Sequence, residues 1–210
     1  MKKLCILGDS ISIHYREYLI PFLDDEFEIV TKDGLEEASK DLNIPVGANV
    51  GDSRMLRDYL LHEDENGRIT YDYVMFNCGL HDIKANIETG VQQVLIEDYE
   101  KNLNSILDIW QRNNVKIIFL TSTPVIDKIH NSPERIALNK IKRSRKDLLA
   151  YNEVALKVMK ERGIPVIDLF SFTDKFGEAA FCDHAHFTHE VRKLQAAYLA
   201  GAVKAIVQQF

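Results

Sequence analysis

The sequence predicts an α/β protein, a three-layer α/β/α sandwich built on a central parallel sheet of about five strands. Five short apolar segments have the length of buried strands, and helical segments separate them along the chain. Strands that alternate with helices form βαβ units, whose right-handed crossovers give a parallel sheet with helices on both faces. The carboxyl edge of such a sheet is where open α/β folds bind their ligands.

The first strand and the turn after it are the clearest case. Leu4 to Leu7 form an apolar run typical of a strand buried on both faces, and an amphipathic helix is predicted from about Ser12. Gly8-Asp9-Ser10 therefore forms a tight turn at the carboxyl edge. Ser10 in this turn suits a nucleophile or an ordinary serine N-cap, and on these residues alone the N-cap is the commoner outcome.

The remaining elements follow the same patterns in order along the chain. Further strands are predicted at Phe27–Val30, Tyr71–Phe76, Val115–Leu120 and Gly163–Leu169. Further helices are predicted from Ser53, at Val91–Arg112, at Ala137–Arg162 and at Glu190–Phe210, with a surface helix or loop at 34–41. The basic run Lys140–Lys146 is interpreted as a solvated helix face; the alternative is that its part near Lys142–Lys146 meets an anionic substrate, if that part lies near the cleft. This order of elements predicts a flavodoxin-like architecture.

Length, composition and charge limit the classes of protein. The chain has 210 residues, 46% of them hydrophobic and 28% charged, which fits a single globular domain over 1–210. The net charge of −6 argues against nucleic acid or an anionic membrane as the main partner. Cys5, Cys78 and Cys182 are too widely spaced to suggest a disulfide framework or a metal site. With no leader and no membrane span predicted, we expect a cytoplasmic protein; the sequence indicates no particular oligomeric state.

Polar clusters that the topology brings to one edge supply the parts of a serine acyl-transfer site. Ser10 is the candidate nucleophile, His186 the base that takes its proton, and Asp183, three residues earlier, the group that orients the base. The tetrahedral oxyanion also needs hydrogen-bond donors. The candidates are the backbone N–H groups of Ser10 and Gly51 and the side chain of His81.

Four blocks in this order resemble the GDSL family of esterases and lipases, specifically the SGNH hydrolase superfamily. Gly8-Asp9-Ser10-Ile11 resembles the block that carries the nucleophile, and Val50-Gly51-Asp52-Ser53 the block whose glycine N–H meets the oxyanion. Gly79-Leu80-His81-Asp82 lines up with the third block, Gly-x-Asn-Asp, and 183–188 with the last block, Asp-x-x-His. The resemblance spans the whole chain and implies the same triad.

One departure from the family pattern concerns the third block, because His81 stands where the family has an asparagine. A neutral imidazole has one N–H and can donate one hydrogen bond, so the donor role can survive. The alternatives are that His81 packs locally, leaving two backbone donors, or that the nearby Asn77 compensates. Asp9 is interpreted as a turn or cap residue with no catalytic step.

A metal site is the alternative to the triad, because His184, His186 and His189 lie close to Asp183 in the sequence. No other residue completes such a site with a recognisable spacing. His184 is adjacent to Asp183 and is expected to point elsewhere, so we expect no metal and no organic cofactor.

The predicted function is a serine ester hydrolase that works through an acyl-enzyme and acts on a small-molecule ester. Because no long apolar lid is visible, a small polar ester is favoured over bulk lipid, with an O-acetylated carbohydrate as the first candidate. The alternatives are an acyltransferase, a short-chain acyl esterase or thioesterase, and a non-catalytic binding module of the same fold.

Overall fold

A parallel five-stranded sheet forms the middle layer of the protein, in a computed structural model that describes residues 1–210 in full. The sheet strands are β1 Lys2–Leu7, β2 Phe27–Thr31, β3 Tyr73–Phe76, β5 Lys116–Leu120 and β7 Val166–Ile167. Their order is β2-β1-β3-β5-β7, and every neighbouring pair is parallel. Two further short strands, β4 Ala85–Asn86 and β6 Ile141–Lys142, pair with each other antiparallel outside this sheet.

Helices cover both faces of the sheet. Helices α1 and α8 pack against α9 in one layer, and α3 and α7 pack against α4 in the other. The helices are α1 Ser10–Leu23, α2 Leu35–Lys40, α3 Ser53–Glu65, α4 Ile96–Arg112, α5 Asp127–His130, α6 Pro133–Asn139, α7 Arg145–Glu161, α8 Leu169–Asp174 and α9 His189–Val207, with a 3₁₀ turn at Gly177–Ala180. None of them combines the length and apolar character needed to cross a bilayer. The predicted three-layer α/β/α fold is confirmed.

The core lies between the sheet and these helix layers, because the central strands have no polar face. All of β3 is buried, and Phe76 packs its ring 4.6 Å from Trp110 of α4 and 5.2 Å from Phe119 of β5, centroid to centroid. Trp110 satisfies its only polar group by donating from Nε1 to the hydroxyl of Tyr71 over 2.8 Å. This packing fixes the strands whose carboxyl ends carry the polar turns.

The prediction of one helix over Ala137–Arg162 is wrong. Helix α6 ends at Asn139 because Lys140 adopts a left-handed conformation, with φ of 54°. Strand β6 follows, and α7 begins only after Ser144, whose hydroxyl oxygen accepts from the Asp147 N–H. The basic run therefore comprises the left-handed Lys140, strand β6, two residues without regular structure and the first two residues of α7, and Arg143 within it is partly buried, not on a solvated helix face.

Other predicted boundaries also shift. Helix α1 begins at Ser10, two residues before the predicted start. Helix α4 begins at Ile96, not at Val91, because the preceding residues turn at Gly90 and bridge back to β4 through Gln92. The predicted strand over Gly163–Leu169 shrinks to Val166–Ile167, because Asp168 caps helix α8 by accepting from the Ser171 N–H.

Candidate active site

Ser10 is the first residue of α1, and Asp9, not Ser10, is the N-cap. The Asp9 carboxylate accepts from the Ile11 N–H over 2.9 Å, and the Asp9 carbonyl accepts from the N–H groups of Ser12 and Ile13. These bonds leave the Ser10 hydroxyl free of capping and its N–H without an acceptor. A helix N-terminus of this kind presents an unpaired N–H beside a hydroxyl at the sheet edge, as a nucleophile with its own oxyanion donor requires.

Gly8 allows this turn to approach its neighbours closely. A Cβ at Gly8 would lie 2.2 Å from Asn77 Oδ1 and 2.7 Å from the Ser12 Cβ, so no larger residue fits without displacement. The Gly8 carbonyl accepts from the Val50 N–H over 3.1 Å, which joins the first turn to the segment that carries Gly51. Asn77 lies at this junction, and its Oδ1 has no hydrogen-bond partner.

His186 joins Ser10 to Asp183. Its Nδ1 lies 2.8 Å from Asp183 Oδ2, and its Nε2 lies 2.9 Å from Ser10 Oγ, across 176 residues of sequence. Because an ionised carboxylate only accepts, Nδ1 carries the proton and Nε2 of the neutral ring accepts from the Ser10 hydroxyl. The imidazole is only 3% exposed, and the ring of His14 packs against it at 4.9 Å between centroids.

The loop before α9 holds Asp183 in place. Its Oδ1 accepts from the N–H groups of Ala185 and His186 over 2.8 and 2.7 Å. These bonds fix the Asp183 carboxylate relative to the backbone of the residues that follow it. Burial alone would raise the pKa of Asp183, but these N–H groups and the His186 ring hold that pKa well below its usual value. The carboxylate is therefore ionised at any ordinary assay pH and can stabilise a charged imidazole.

Gly51 lies in the turn that joins residue 50 to helix α3, with φ of +70°, a conformation that favours glycine. Its N–H donates to Asn49 Oδ1 over 3.0 Å, so this predicted oxyanion donor already has an acceptor within the protein. The amide nitrogen of Asn49 is buried without a partner. Gly51 N–H can meet an oxyanion only by sharing or leaving the bond to Asn49.

His81 is buried, with 4% exposure, and Lys84 is bonded to it. Lys84 Nζ lies 2.9 Å from His81 Nδ1, and an ammonium has only protons to offer, so Nδ1 accepts and Nε2 carries the ring proton. Burial, together with the charges of Lys84 and Arg143, lowers the pKa of His81 well below its usual value, so the ring is neutral. Its Nε2–H has no acceptor in the protein, which leaves one donor available.

Asp82 ties the second and third blocks together. Its two carboxylate oxygens accept from the Ser53 N–H over 3.0 and 3.1 Å at the start of α3. The Ser53 hydroxyl in turn accepts from Asn102 Nδ2 over 2.9 Å. Burial raises the pKa of Asp82 to about 7. The turn that carries His81 is thus fixed relative to the turn that carries Gly51.

The other two histidines near Asp183 differ in position. His189 Nδ1 is 2.8 Å from the Tyr18 hydroxyl. His184, which the sequence predicts to point elsewhere, has its Nδ1 3.6 Å from Asp183 Oδ1 and its ring 6.0 Å from that of His186, centroid to centroid. No group of three or more His, Cys, Asp or Glu side chains is arranged to hold a metal ion. The sequence patterns do not indicate Lys84, for which a cation three residues after His81 is the only signal, and they leave open whether the basic run that contains Arg143 lies near the site.

Comparison with known proteins shows similarity at the level of the fold. No protein-family model matches the sequence, and no curated protein matches it. An acetyl xylan esterase is 19% identical, with a TM-score of 0.68, over 96% of this chain and 99% of that chain. A GDSL-like lipase from Bacteroides thetaiotaomicron is 16% identical, with a TM-score of 0.66, over 98% of this chain and 89% of that chain.

The psychrotrophic esterase EstA from Pseudoalteromonas sp., in a structure inhibited by monoethylphosphonate, is 12% identical with a TM-score of 0.66, over 99% of this chain and 100% of that chain. At these identities the agreement is one of fold. The chain therefore has the fold of the GDSL-type lipases and esterases, and the fold expected from the four blocks is confirmed.

Proposed function

On the fold of the GDSL-type lipases and esterases, we propose that this protein is a serine ester hydrolase whose triad is Ser10, His186 and Asp183. The observation that carries the proposal is the unbroken line of hydrogen bonds from Ser10 Oγ to His186 Nε2 and from His186 Nδ1 to Asp183. It aligns the hydroxyl, the base and the carboxylate in the order that acyl transfer requires.

Acylation begins with attack of Ser10 Oγ on the ester carbonyl carbon. As the Oγ–C bond forms, the hydroxyl proton moves to His186 Nε2, and Asp183 stabilises the resulting imidazolium. When the tetrahedral intermediate collapses, the bond to the alcohol oxygen breaks and the same proton leaves with the alcohol. Water then repeats the sequence on the acyl-enzyme and releases the acid. Each step uses only the side chains of the triad, the ester and water.

The oxyanion is met by two donors that have no other acceptor, the Ser10 N–H and the His81 Nε2–H. Gly51 N–H is the third donor of the proposal, and it joins when the bond to Asn49 is shared with the oxyanion. Each donor of this kind typically raises the rate about 100- to 1,000-fold, so two donors that have no other acceptor are sufficient for substantial catalysis.

The substrate we propose is a small polar ester, with an O-acetylated carbohydrate as the first candidate. The acetyl xylan esterase among the proteins of similar fold supports this choice. An acyltransferase would use the same acyl-enzyme with a hydroxyl other than water as acceptor. A non-catalytic binding module is disfavoured, because such a module has no need for aligned Ser10, His186 and Asp183.

Labelling with a fluorophosphonate probe tests the proposal. The wild-type protein should be labelled at Ser10 and should turn over 4-nitrophenyl acetate, and Ser10→Ala should lose both, with kcat lower by about a millionfold. Ser12→Ala is the matched control, because Ser12 lies on the same turn but donates to the Asp9 carbonyl. Labelling that survives in Ser10→Ala, or a wild-type protein that neither labels nor hydrolyses esters, contradicts the proposal.

A further inference from the structure

Most arginines of this protein are paired with carboxylates, and two of the unpaired ones, Arg143 and Arg135, lie beside the candidate active site. Ion pairs to Asp or Glu are made by Arg54, Arg57, Arg68, Arg112, Arg145 and Arg162. The others, Arg16, Arg135, Arg143 and Arg192, make none. In a chain with a net charge of −6, carboxylates are not scarce. Cations left unpaired at one place indicate a partner of opposite charge.

Arg143 is the arginine placed most firmly beside the reacting groups. Its backbone is fixed on both sides by Asn131, which accepts from the Arg143 N–H over 2.8 Å and donates to its carbonyl over 2.6 Å. Its Nε donates to the carbonyl of Leu80 over 2.7 Å. Leu80 immediately precedes His81, so the guanidinium lies next to the candidate oxyanion donor. The two terminal nitrogens of Arg143 have no acceptor in the protein and form a free fork.

Arg143 forms, with Arg135 and Lys142, a surface that we call the cationic wall. These side chains line a small cavity of about 10 Å³, together with the neutral His130, Asn139 and Ile141, and no acidic side chain lines it. The cavity has room for about one water, so a bound anion would occupy its mouth. The rings of His130 and His184 lie between this cavity and the base His186. The ring of His184 is 6.5 Å from that of His130 and 6.0 Å from that of His186, centroid to centroid.

The nearby carboxylates offset the charge of the wall only in part. Asp183, bonded to His186, and Asp41 act on Arg135 with opposite charge. Asp9 acts in the same way on Arg143, but it lies 2% exposed beneath the first turn of α1, where burial raises its pKa, and it makes no ion pair with that arginine. The pKa of His130 falls to about 3 and that of His184 to about 4, first because both rings are buried and next because of the charges of Arg143 and Arg135 respectively. The field at this side of the site is therefore positive.

The groove lined by Arg16 and Arg192 beside His14 is less clearly cationic, because Glu17 also lines it. Arg192 donates from Nε to the Phe187 carbonyl over 2.6 Å and from one terminal nitrogen to Cys182 Sγ over 3.5 Å. The fork of Arg192 therefore has an acceptor in the protein, whereas that of Arg143 has none, and the cationic wall is the stronger candidate for a charged ligand.

We propose that the cationic wall binds a negatively charged group of the substrate, so that the ester carries a carboxylate, phosphate or sulfate held by the fork of Arg143 with Arg135 beside it. Arginine suits this role because its planar guanidinium can donate two parallel hydrogen bonds to one carboxylate, phosphate or sulfate. The inference rests on the proposed function, since it names the substrate class of the same site. The charged group can belong to the acyl part or to the alcohol part of the ester.

Matched pairs of esters test this inference and separate the two sources of charge. The alcohol arm compares 4-acetoxybenzoate with its methyl ester, and the acyl arm compares the 4-nitrophenyl half-ester of adipic acid with 4-nitrophenyl hexanoate. The measured quantity is the ratio of kcat/KM for the anionic ester to that for its neutral partner. Arg143→Gln should lower this ratio about 10- to 100-fold in one arm, the worth of a charge-assisted hydrogen bond. Arg135→Gln should lower it by less.

Arg145→Gln is the matched control, because Arg145 belongs to the same basic run but is paired with Asp174. It should leave the ratio unchanged. Added salt should lower the wild-type ratio, since partly exposed charges are screened. Ratios in both arms that stay within about twofold of the wild type in Arg143→Gln, Arg143→Lys and Arg135→Gln overturn the inference. Turnover of the neutral esters and labelling of Ser10 report separately on the proposed function, so the two failures are distinguishable.

Discussion

The two halves of the candidate site are built in different ways. The triad half is a closed set of side-chain bonds, in which Ser10, His186 and Asp183 have each other as partners. The oxyanion half depends on groups outside the four sequence blocks, since His81 is oriented by Lys84 and the Gly51 N–H is held by Asn49. The difference shows which half the family resemblance describes and which half is particular to this chain.

The halves also differ in how they would respond to substitution. In the triad, a change in one member removes a proton acceptor or its orientation, and no neighbour can substitute. In the oxyanion half, donors act in parallel on one oxygen, so losing one weakens the hole without abolishing it. We therefore expect large effects on one side and graded effects on the other, and the following variants test that contrast.

After Ser10→Ala, the largest effect is expected from Asp183→Asn. The new amide can donate to Nδ1 of His186, which favours the ring tautomer with the proton on Nε2 and removes the acceptor that Ser10 needs. We expect kcat for 4-nitrophenyl acetate to fall about 10⁴-fold. Asp174→Asn is the control, since that carboxylate is paired with Arg145 on α7. A loss smaller than about tenfold in Asp183→Asn would show that the carboxylate does not orient the base.

The contrast between the triad half and the oxyanion half also describes which parts of the site the sequence could predict. The Gly8-Asp9-Ser10 turn and the Asp183-x-x-His186 spacing are local, so the order of residue types is enough to indicate them. Likewise the apolar run before Leu120 predicts a central strand, which the structure confirms as β5. Local patterns are sufficient wherever the neighbours in space are also neighbours in sequence or lie at strand ends.

The largest error, the single helix predicted over Ala137–Arg162, comes from long-range pairing. Residues 141–142 have helical neighbours in sequence, yet they form β6 because β4 lies alongside them across more than 50 residues of chain. That pairing, with the left-handed Lys140, brings Arg143 to the Leu80 carbonyl, while Lys140, Lys142 and Lys146 remain exposed. Periodicity carries no information about such a partner, so the sequence leaves open whether the basic run lies near the site, and the structure places Arg143 of that run there.

An intermediate effect is expected at His81, where the chain departs from the family pattern. His81→Ala removes the Nε2–H and should lower kcat about 100- to 1,000-fold, with a smaller change in KM, because the donor acts on charge that develops in the transition state. His81→Asn restores an amide donor and should keep or raise kcat. If both variants match the wild-type enzyme, His81 has no part in the oxyanion hole and the Ser10 and Gly51 N–H groups suffice.

The smallest effect is expected at Lys84, which acts through His81 and is a positioning residue. Burial, with the nearby charge of Arg143, lowers the pKa of Lys84 to about 8, although Asp52, Asp9 and Asp82 oppose that shift. Below this pH the ammonium holds the His81 proton on Nε2, and above it the neutral amine can accept from Nδ1 instead, so the donor is no longer fixed. The wild-type kcat/KM should therefore decrease as the pH rises through about 8.

Lys84→Met should lower kcat about tenfold, less than the loss of a whole oxyanion donor, because the imidazole remains but its proton is no longer fixed. The variant should also lose the decrease near pH 8, which a merely structural role for Lys84 would not predict. Lys84→Arg, which keeps a donor that stays protonated, should recover part of kcat and hold it to higher pH. A Lys84→Met enzyme that retains the wild-type pH profile would show that His81 is oriented without Lys84, and the oxyanion half would then be as self-contained as the triad.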